Sequence, residues 1–196
     1  MRIKLGISGS CGRMGRTIAG LALHDCESLF AISAPLEASG HDAIGRDYGM
    51  VLGRPTNLGV KVLDDAKAAM GQSDVFIEFT TPEATVTHVQ LAETARKPMV
   101  IGTTGLSEPQ RAVVQSASKT IPIVYSPNMS LGVNVLFELA RLAAERLGLS
   151  YDVEIEESPH RQKKDAPRGT AKHLLDVVAA ARKQPVSAIP VHAIRA

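Results

Sequence analysis

The chain has no tryptophan, and aromatic residues make up only 4% of it. A surface that stacks nucleobases needs rings interleaved with cations, and no such interleaving occurs. A net charge of +2 adds no electrostatic case for nucleic acid. Two cysteines, Cys11 and Cys26, form no metal-binding pattern, and a cytosolic chain keeps them reduced. No apolar run approaches the roughly 18–20 residues that a membrane helix requires. The first residues, Met1 to Gly6, enter a strand pattern without the features of a cleavable leader. These absences predict a cytoplasmic protein with no metal site, no nucleic-acid partner and no membrane partner.

What is present is an ordinary globular composition, 44% apolar and 21% charged over 196 residues. That suffices for a packed core, in one large domain or one domain with part of a second. Short apolar runs predict strands at Ile3–Ser8, Leu29–Ala34, Val60–Leu63, Val75–Phe79, Met99–Ile101 and Ile121–Tyr125. Amphipathic stretches between them predict helices at Arg13–His24, Asp64–Ala69, Pro82–Ala95 and Glu108–Ser118. Strand–helix alternation of this kind builds a doubly wound parallel sheet, whose strands are covered on both faces and so read as continuous apolar runs.

Beyond about Asn128 the pattern changes. Ser130–Leu147 reads as one long helix with Val135, Leu136, Leu139, Leu142 and Ala143 along one face. Tyr151–Glu157 alternates apolar and acidic residues, as a half-solvated strand of an antiparallel sheet does. A basic segment, a helix from Gly169 to Lys183 and a strand at Ile189–Ile194 follow. The expected α/β organisation is a dinucleotide-binding domain over residues 1–128 and a smaller, partial α+β domain over 129–196.

Gly9-Ser-Cys-Gly12-Arg-Met-Gly15 follows the first strand and opens the first helix. There Gly9 permits a tight turn, Gly12 lets backbone approach phosphate oxygens, and Gly15 lets the helix pack on the strand. The helix start offers free N–H groups and a positive dipole end to a pyrophosphate. The spacing is G-x-x-G-x-x-G rather than G-x-G-x-x-G, so position carries more weight than pattern. Cys11, within the turn, reads as a small structural residue. A dinucleotide site also wants an acid past the second strand for the adenosine ribose, and Glu37 stands there; a plain loop carboxylate is the alternative. Ala38 follows Glu37, leaving Arg13 or Arg16 as the cations available to a 2′-phosphate, so NADH is expected to serve at least as well as NADPH. Gly102-Thr-Thr-Gly105 and Ser126-Pro-Asn-Met129 close later strands at the same edge, where nicotinamide ribose and carboxamide would lie. Phe79-Thr-Thr-Pro82 is a further strand end, equally readable as a helix cap with Pro82 in the first turn.

Glu157 to Ala171 gathers His160, Arg161, Lys163, Lys164 and Arg168 just before Gly169-Thr170 at a helix start. This is either a clamp for a multiply anionic small molecule or a solvated basic loop.

Together these motifs resemble those of the bacterial dihydrodipicolinate reductases (4-hydroxy-tetrahydrodipicolinate reductases) of the diaminopimelate–lysine pathway. The resemblance rests on Gly9-x-x-Gly-Arg-Met-Gly15, Phe79-Thr-x-Pro-Glu83, Val100-Ile-Gly-Thr-Thr-Gly105, Ser126-Pro-Asn-Met-Ser-x-Gly-Val-Asn134 and Lys163-x-Asp-Ala-Pro-x-Gly-Thr-Ala171. It implies a Rossmann-type sheet followed by an incomplete substrate and oligomerisation domain. It implies that NADH or NADPH is contacted by Gly9, Ser10, Cys11, Gly12, Arg13, Met14, Glu37, Gly102, Thr103, Thr104, Ser126, Pro127, Asn128 and Met129. It further implies that His160, Gly169 and Thr170 bind the carboxylates of a small dicarboxylate substrate, and that Lys163, with His160 beside it, serves catalysis as proton donor. The family works as a homotetramer.

Three departures accompany the resemblance. Pro159 replaces the first histidine of the family's His-His pair, which acts in proton transfer, and Arg168 replaces a serine. Ala follows Glu37 where some members have arginine. Family members also continue past the position of Ala196 with more strands, whose lack predicts an unpaired sheet edge and weakens the tetramer. The alternative expectation is therefore an impaired or non-catalytic nucleotide-binding member; another amino-acid dehydrogenase, such as an aspartate dehydrogenase, fits the Lys163–Ala171 segment less well.

Overall fold

The computed structural model describes residues 1–158 and 169–193. The chain divides into two compact units, Met1–Tyr125 and Ser126–Ala196.

The first unit runs β1 (Ile3–Ser8), α1 (Arg13–His24), β2 (Phe30–Leu36), α2 (Tyr48–Val51), α3 (Ala66–Gly71), β3 (Val75–Glu78), α4 (Pro82–Ala95), β4 (Met99–Ile101), α5 (Glu108–Ala117) and β5 (Ile123–Tyr125). Its five strands form one parallel sheet in the order β2-β1-β3-β4-β5. The chain leaves β1 towards β2 and then returns to the other side for β3. The carboxyl ends of β1 and β3 therefore flank the point where strand order reverses, which is where open α/β sheets place ligands. Two apolar clusters hold the unit together. One joins Leu5, Ile7 and Ile32 to Ala19 and Ala22 of α1, with Tyr48 and Val62. The other joins Phe76, Met99 and Ile101 to Met70, Val89 and Val114 of α3, α4 and α5.

The helices start where the sequence offers caps: Asp47, Asp65, Thr81 and Ser130 each accept a backbone N–H of the helix that follows. β5 starts later than its apolar run because Pro122 has no N–H to give the ladder, although its carbonyl still accepts from Met99 N at 2.9 Å.

Val60–Leu63 is not a strand. Leu63 bridges Leu36 alone, and Lys61 bridges Asp47. Leu63 N reaches Pro35 O at 2.8 Å, whereas Val62 N turns to Arg46 O at 3.0 Å, so no single partner gives this run a continuous ladder.

The second unit contains α6 (Leu131–Leu147), β6 (Ile155–Glu157), α7 (Gly169–Arg182) and β7 (Val191–Ala193). Its core is Ala144, Ile155, Val178, Ala179 and Ile189. One expectation is corrected here. β6 and β7 pair in parallel, not antiparallel. The alternation around Ile155 reports burial on one face and is silent on direction, and α7 supplies the long crossover that a parallel pair needs. The side of α6 turned to this core is not the apolar row read from the sequence. Phe137 and Ala144 are buried, while Val135, Leu136, Leu139 and Leu142 are exposed and Ala143 with them. The Phe137 ring meets His173 of α7 edge-on, 4.7 Å between centroids.

Candidate active site

The turn between β1 and α1 is shaped by its glycines. Gly9 has φ of 73°, a region that side chains other than glycine's rarely occupy, and Gly12 N closes the turn onto Gly9 O at 3.0 Å. A Cβ on Gly15 would stand 2.3 Å from the Gly9 carbonyl oxygen and 2.7 Å from the Ser10 Cα, so only glycine lets α1 lie this close. Gly12 is the N-cap of α1, has no side chain with which to cap, and is followed by no acid in the first turn. The early N–H groups of α1 therefore keep their capacity for an anion.

Three side chains grip this turn. Glu37, just past β2, accepts from Cys11 N at 2.9 Å through one carboxylate oxygen and from Ala38 N at 3.1 Å through the other. Tyr48, fully buried, donates its hydroxyl to Ser10 O at 2.7 Å. Arg16 gives Nε–H to Cys11 O at 2.9 Å and Nη1–H to Val51 O at 2.6 Å. Burial pushes the Tyr48 hydroxyl well above its ordinary pKa, so it stays a neutral donor. Burial, foremost, also raises the Cys11 thiol, which keeps it protonated and unreactive at neutral pH.

The turn forms one wall of a cleft of about 550 Å³, a volume within the usual range of small-molecule sites. Gly9, Cys11, Gly12 and Glu37 line it, so four residues singled out from the sequence meet in one place. Ser10 lies buried behind them, and Arg13 and Met14 are exposed at the start of α1. The opposite wall is Phe79, Thr80, Thr81, Ala84 and His88. Both readings of Phe79–Pro82 hold geometrically: Thr81 caps α4 with Pro82 in its first turn, and Thr81 also faces the cleft. His88 was not anticipated. The available signal was helical spacing, since Thr81, Ala84 and His88 fall at intervals of three and four on α4.

Gly102–Thr104 do not line this cleft. A Cβ on Gly102 would stand 2.1 Å from the Phe79 ring, so this glycine serves close packing of the two loops. The Thr103 hydroxyl is buried and taken up internally, accepting from Thr80 N at 3.2 Å and Thr85 Oγ1 at 2.9 Å, whereas Thr104 is exposed.

In the second unit, Ser126 and Asn128 build a local turn: Ser126 Oγ donates to Asn128 O at 2.7 Å, and Asn128 Oδ1 accepts from Ser130 N at 2.9 Å. Pro127 is half-buried and Met129 exposed. Asn128 Nδ2 reaches Thr170 Oγ1 at 3.3 Å, which joins a residue expected to hold cofactor to one expected to hold substrate. Gly169 and Thr170 open α7. Pro159, His160, Lys163 and Arg168 lie outside the described residues.

Among the described residues no cluster of three or more His, Cys, Asp or Glu is placed to hold a metal ion, and no helix is long and apolar enough to cross a membrane.

The family model of the dihydrodipicolinate reductase N-terminus matches residues 3–129, and that of the C-terminus matches residues 132–196. The chain belongs to the dihydrodipicolinate reductase family. It is 42% identical to the 4-hydroxy-tetrahydrodipicolinate reductase of Ralstonia nicotianae, covering 92% of this chain and 67% of that one. With the enzyme of the same name from Anaeromyxobacter dehalogenans it shares 46% identity over 91% of this chain and 65% of the relative. It thus spans about two thirds of the length of these curated relatives. Among solved structures, the dipicolinate-bound dihydrodipicolinate reductase of Paenisporosarcina sp. TG-14 superposes with a TM-score of 0.69 at 26% identity, covering all of this chain and 79% of that one. An amine dehydrogenase from Mycobacterium smegmatis, 16% identical with a TM-score of 0.63 over 92% of this chain and 62% of its own, shares the fold. The sheet is of the Rossmann type, and the family's enzymes are oxidoreductases using NAD(P)H.

Proposed function

We propose that this chain is an NAD(P)H-dependent 4-hydroxy-tetrahydrodipicolinate reductase, taking a cyclic, unsaturated dicarboxylate to tetrahydrodipicolinate in the cytoplasm. The observation that carries this reading is the uncapped glycine turn at the strand-order reversal, held against Glu37 in a chain of this family. The residues present fit a nicotinamide dinucleotide. Backbone N–H groups of Gly9 through Met14 would meet the pyrophosphate, and each Glu37 oxygen keeps a lone pair for a ribose hydroxyl beside the N–H it already accepts. By the family resemblance Ser126–Met129 would serve the nicotinamide half, as would Gly102–Thr104, which lie outside the cleft that Gly9 and Glu37 line.

When bound, the cofactor supplies the hydride. The chain's own residues bind and protonate the substrate. His160, together with the Gly169 and Thr170 backbone and hydroxyl at the start of α7, takes up the substrate carboxylates. The Lys163 ammonium, kept charged by the dianion beside it, passes a proton from Nζ to the carbanion-like centre that hydride addition leaves. Because Arg16 is committed to two backbone carbonyls, which leaves only Arg13 of the two arginines for a 2′-phosphate, and Glu37 sets a negative charge against the turn, NADH should be used at least as well as NADPH. A much lower KM for NADPH would contradict that assignment.

The deciding experiment is a coupled assay in which the preceding synthase generates the substrate and loss of reduced-cofactor absorbance is followed. Turnover abolished by Lys163→Ala supports the reading, and a folded protein that neither turns over nor binds NADH refutes it. A second reading, nucleotide binding without efficient turnover, is favoured by Pro159, since proline cannot carry a proton and losing one general acid or base typically costs about 10²–10⁴ in rate. NADH titration with no detectable turnover, and a rate raised by Pro159→His with Arg168→Ser, would identify that case.

A further inference from the structure

Glu78 is a fully buried acid at the end of β3, directly opposite Ser8 at the end of β1 across the strand-order reversal. The sheet has no need of a carboxylate there. Its neighbours on β3 and β4, Phe76 and Ile101, are buried and apolar, and an unpartnered polar group among them would be unfavourable. Glu78 is instead the hub of a polar network. One oxygen accepts from His88 Nδ1 at 2.7 Å and the other from the Thr80 hydroxyl. Thr85 Oγ1 lies 3.5 Å from Glu78 Oε1 and donates to Thr103 Oγ1, which in turn receives Thr80 N. His88 Nδ1 also stands 3.3 Å from Ser8 Oγ. The network thus fastens the end of β1, the turn after β3 and the loop after β4 to a single carboxylate.

Glu78 does not itself line the cleft, but Ser8, Thr80 and His88 do. With Nδ1 turned to Glu78, the His88 ring presents Nε2 as its only other polar atom, and that atom has no partner among the described residues. We propose that Glu78 is a positioning residue for the cofactor: through His88 and Thr80 it fixes the wall opposite the glycine turn, and so sets how tightly the dinucleotide is held. This inference rests on the reading of the cleft as a nicotinamide-nucleotide site.

The test uses the full chain and NADH, followed by fluorescence titration for both Kd and the number of sites. Glu78→Gln keeps the size of the side chain but removes its charge and replaces one acceptor oxygen with a donor, so either the Thr80 hydroxyl must turn to accept or the His88 ring must change tautomer, which alters what Nε2 presents. A Kd raised about tenfold or more with an unchanged number of sites is the expected result, equivalent to about 1.4 kcal/mol. A merely structural role would instead lower the number of competent sites at unchanged Kd, and that outcome overturns the proposal. If Glu78→Gln does not fold, Glu78→Asp and His88→Gln take its place: raised Kd in both supports the inference, and wild-type Kd in both overturns it. Failure of the unaltered protein to bind NADH is a different result, since it removes the cofactor reading itself and this inference with it.

Discussion

A hydrogen atom, rather than a methyl group, at Gly15 decides how closely α1 approaches the β1 turn, because a Cβ would overlap backbone atoms that cannot swing aside. Gly15→Ala is therefore expected to lose NADH binding and about 1–3 kcal/mol of stability, the usual range for an overpacked contact, as measured by urea unfolding and fluorescence titration. Asp47 gives a second expectation at this scale. The N–H of Leu58 foremost, joined by those of Gly59 and Gly49, holds its carboxyl below the ordinary carboxylate range, against an opposing effect of desolvation. The folded state thus favours the ionised form. That contribution is present above the unfolded-state pKa of about 4 and is lost as pH falls through the lower folded value. Asp47→Asn should lower Tm at neutral pH and flatten the fall in Tm on acidification; a parallel fall in both proteins would contradict this. Of these residues, the glycines and Glu37 were legible in the sequence because their spacing from a strand end carries meaning. The contacts of Tyr48 with Ser10, of Arg16 with Val51 and of Asp47 with Leu58 and Gly59 were not, since each joins groups that meet only after the segment between β2 and α3 has folded back.

At the scale of elements, α1, α4 and β4 follow their apolar periodicity to the residue, and α5 and α6 to within one. Legibility failed where periodicity had no single cause. Val60–Leu63 is apolar enough for a strand but divides its hydrogen bonds between two partners, and no pattern within the run reveals that. The exposed row on α6 shows the same limit: side-chain spacing locates an apolar face without saying which core it meets. Caps are more local and so more readable. The Asp65 carboxylate accepts from both Lys67 N and Ala68 N at the start of α3, and its side chain takes no part in the cleft. Asp65→Ala should cost about 0.5–2 kcal/mol in urea unfolding while leaving the NADH Kd unchanged. A shift in Kd would mean that α3 has a role in the site.

At the scale of the whole chain, each of the two units has its own core, and among the described residues they differ in extent: two clusters of nine or more buried residues in the first, one of five in the second. Calorimetry is accordingly expected to resolve two transitions, the second unit melting first. NADH at about 100 times its Kd should move the transition of the first unit by the equivalent of about 2.7 kcal/mol. A single transition that moves as one would show that the units unfold together. Family membership was legible at this scale because five ordered motifs span the chain, whereas the direction of the β6–β7 pair depends on a contact far apart in sequence.

Among the described residues, each side chain that grips the glycine turn comes either from α1 itself or from Glu37 and Tyr48, which bracket an exposed run at residues 38–42. The seat proposed for the dinucleotide is in that sense cast in a removable mould. A single protease nick within the run would leave all five strands paired while freeing Glu37 from the chain that follows it and loosening its hold on Cys11 N. Loss of nucleotide affinity would then precede any loss of secondary structure, so an intact circular-dichroism spectrum is no assurance that a stored preparation can still bind its cofactor.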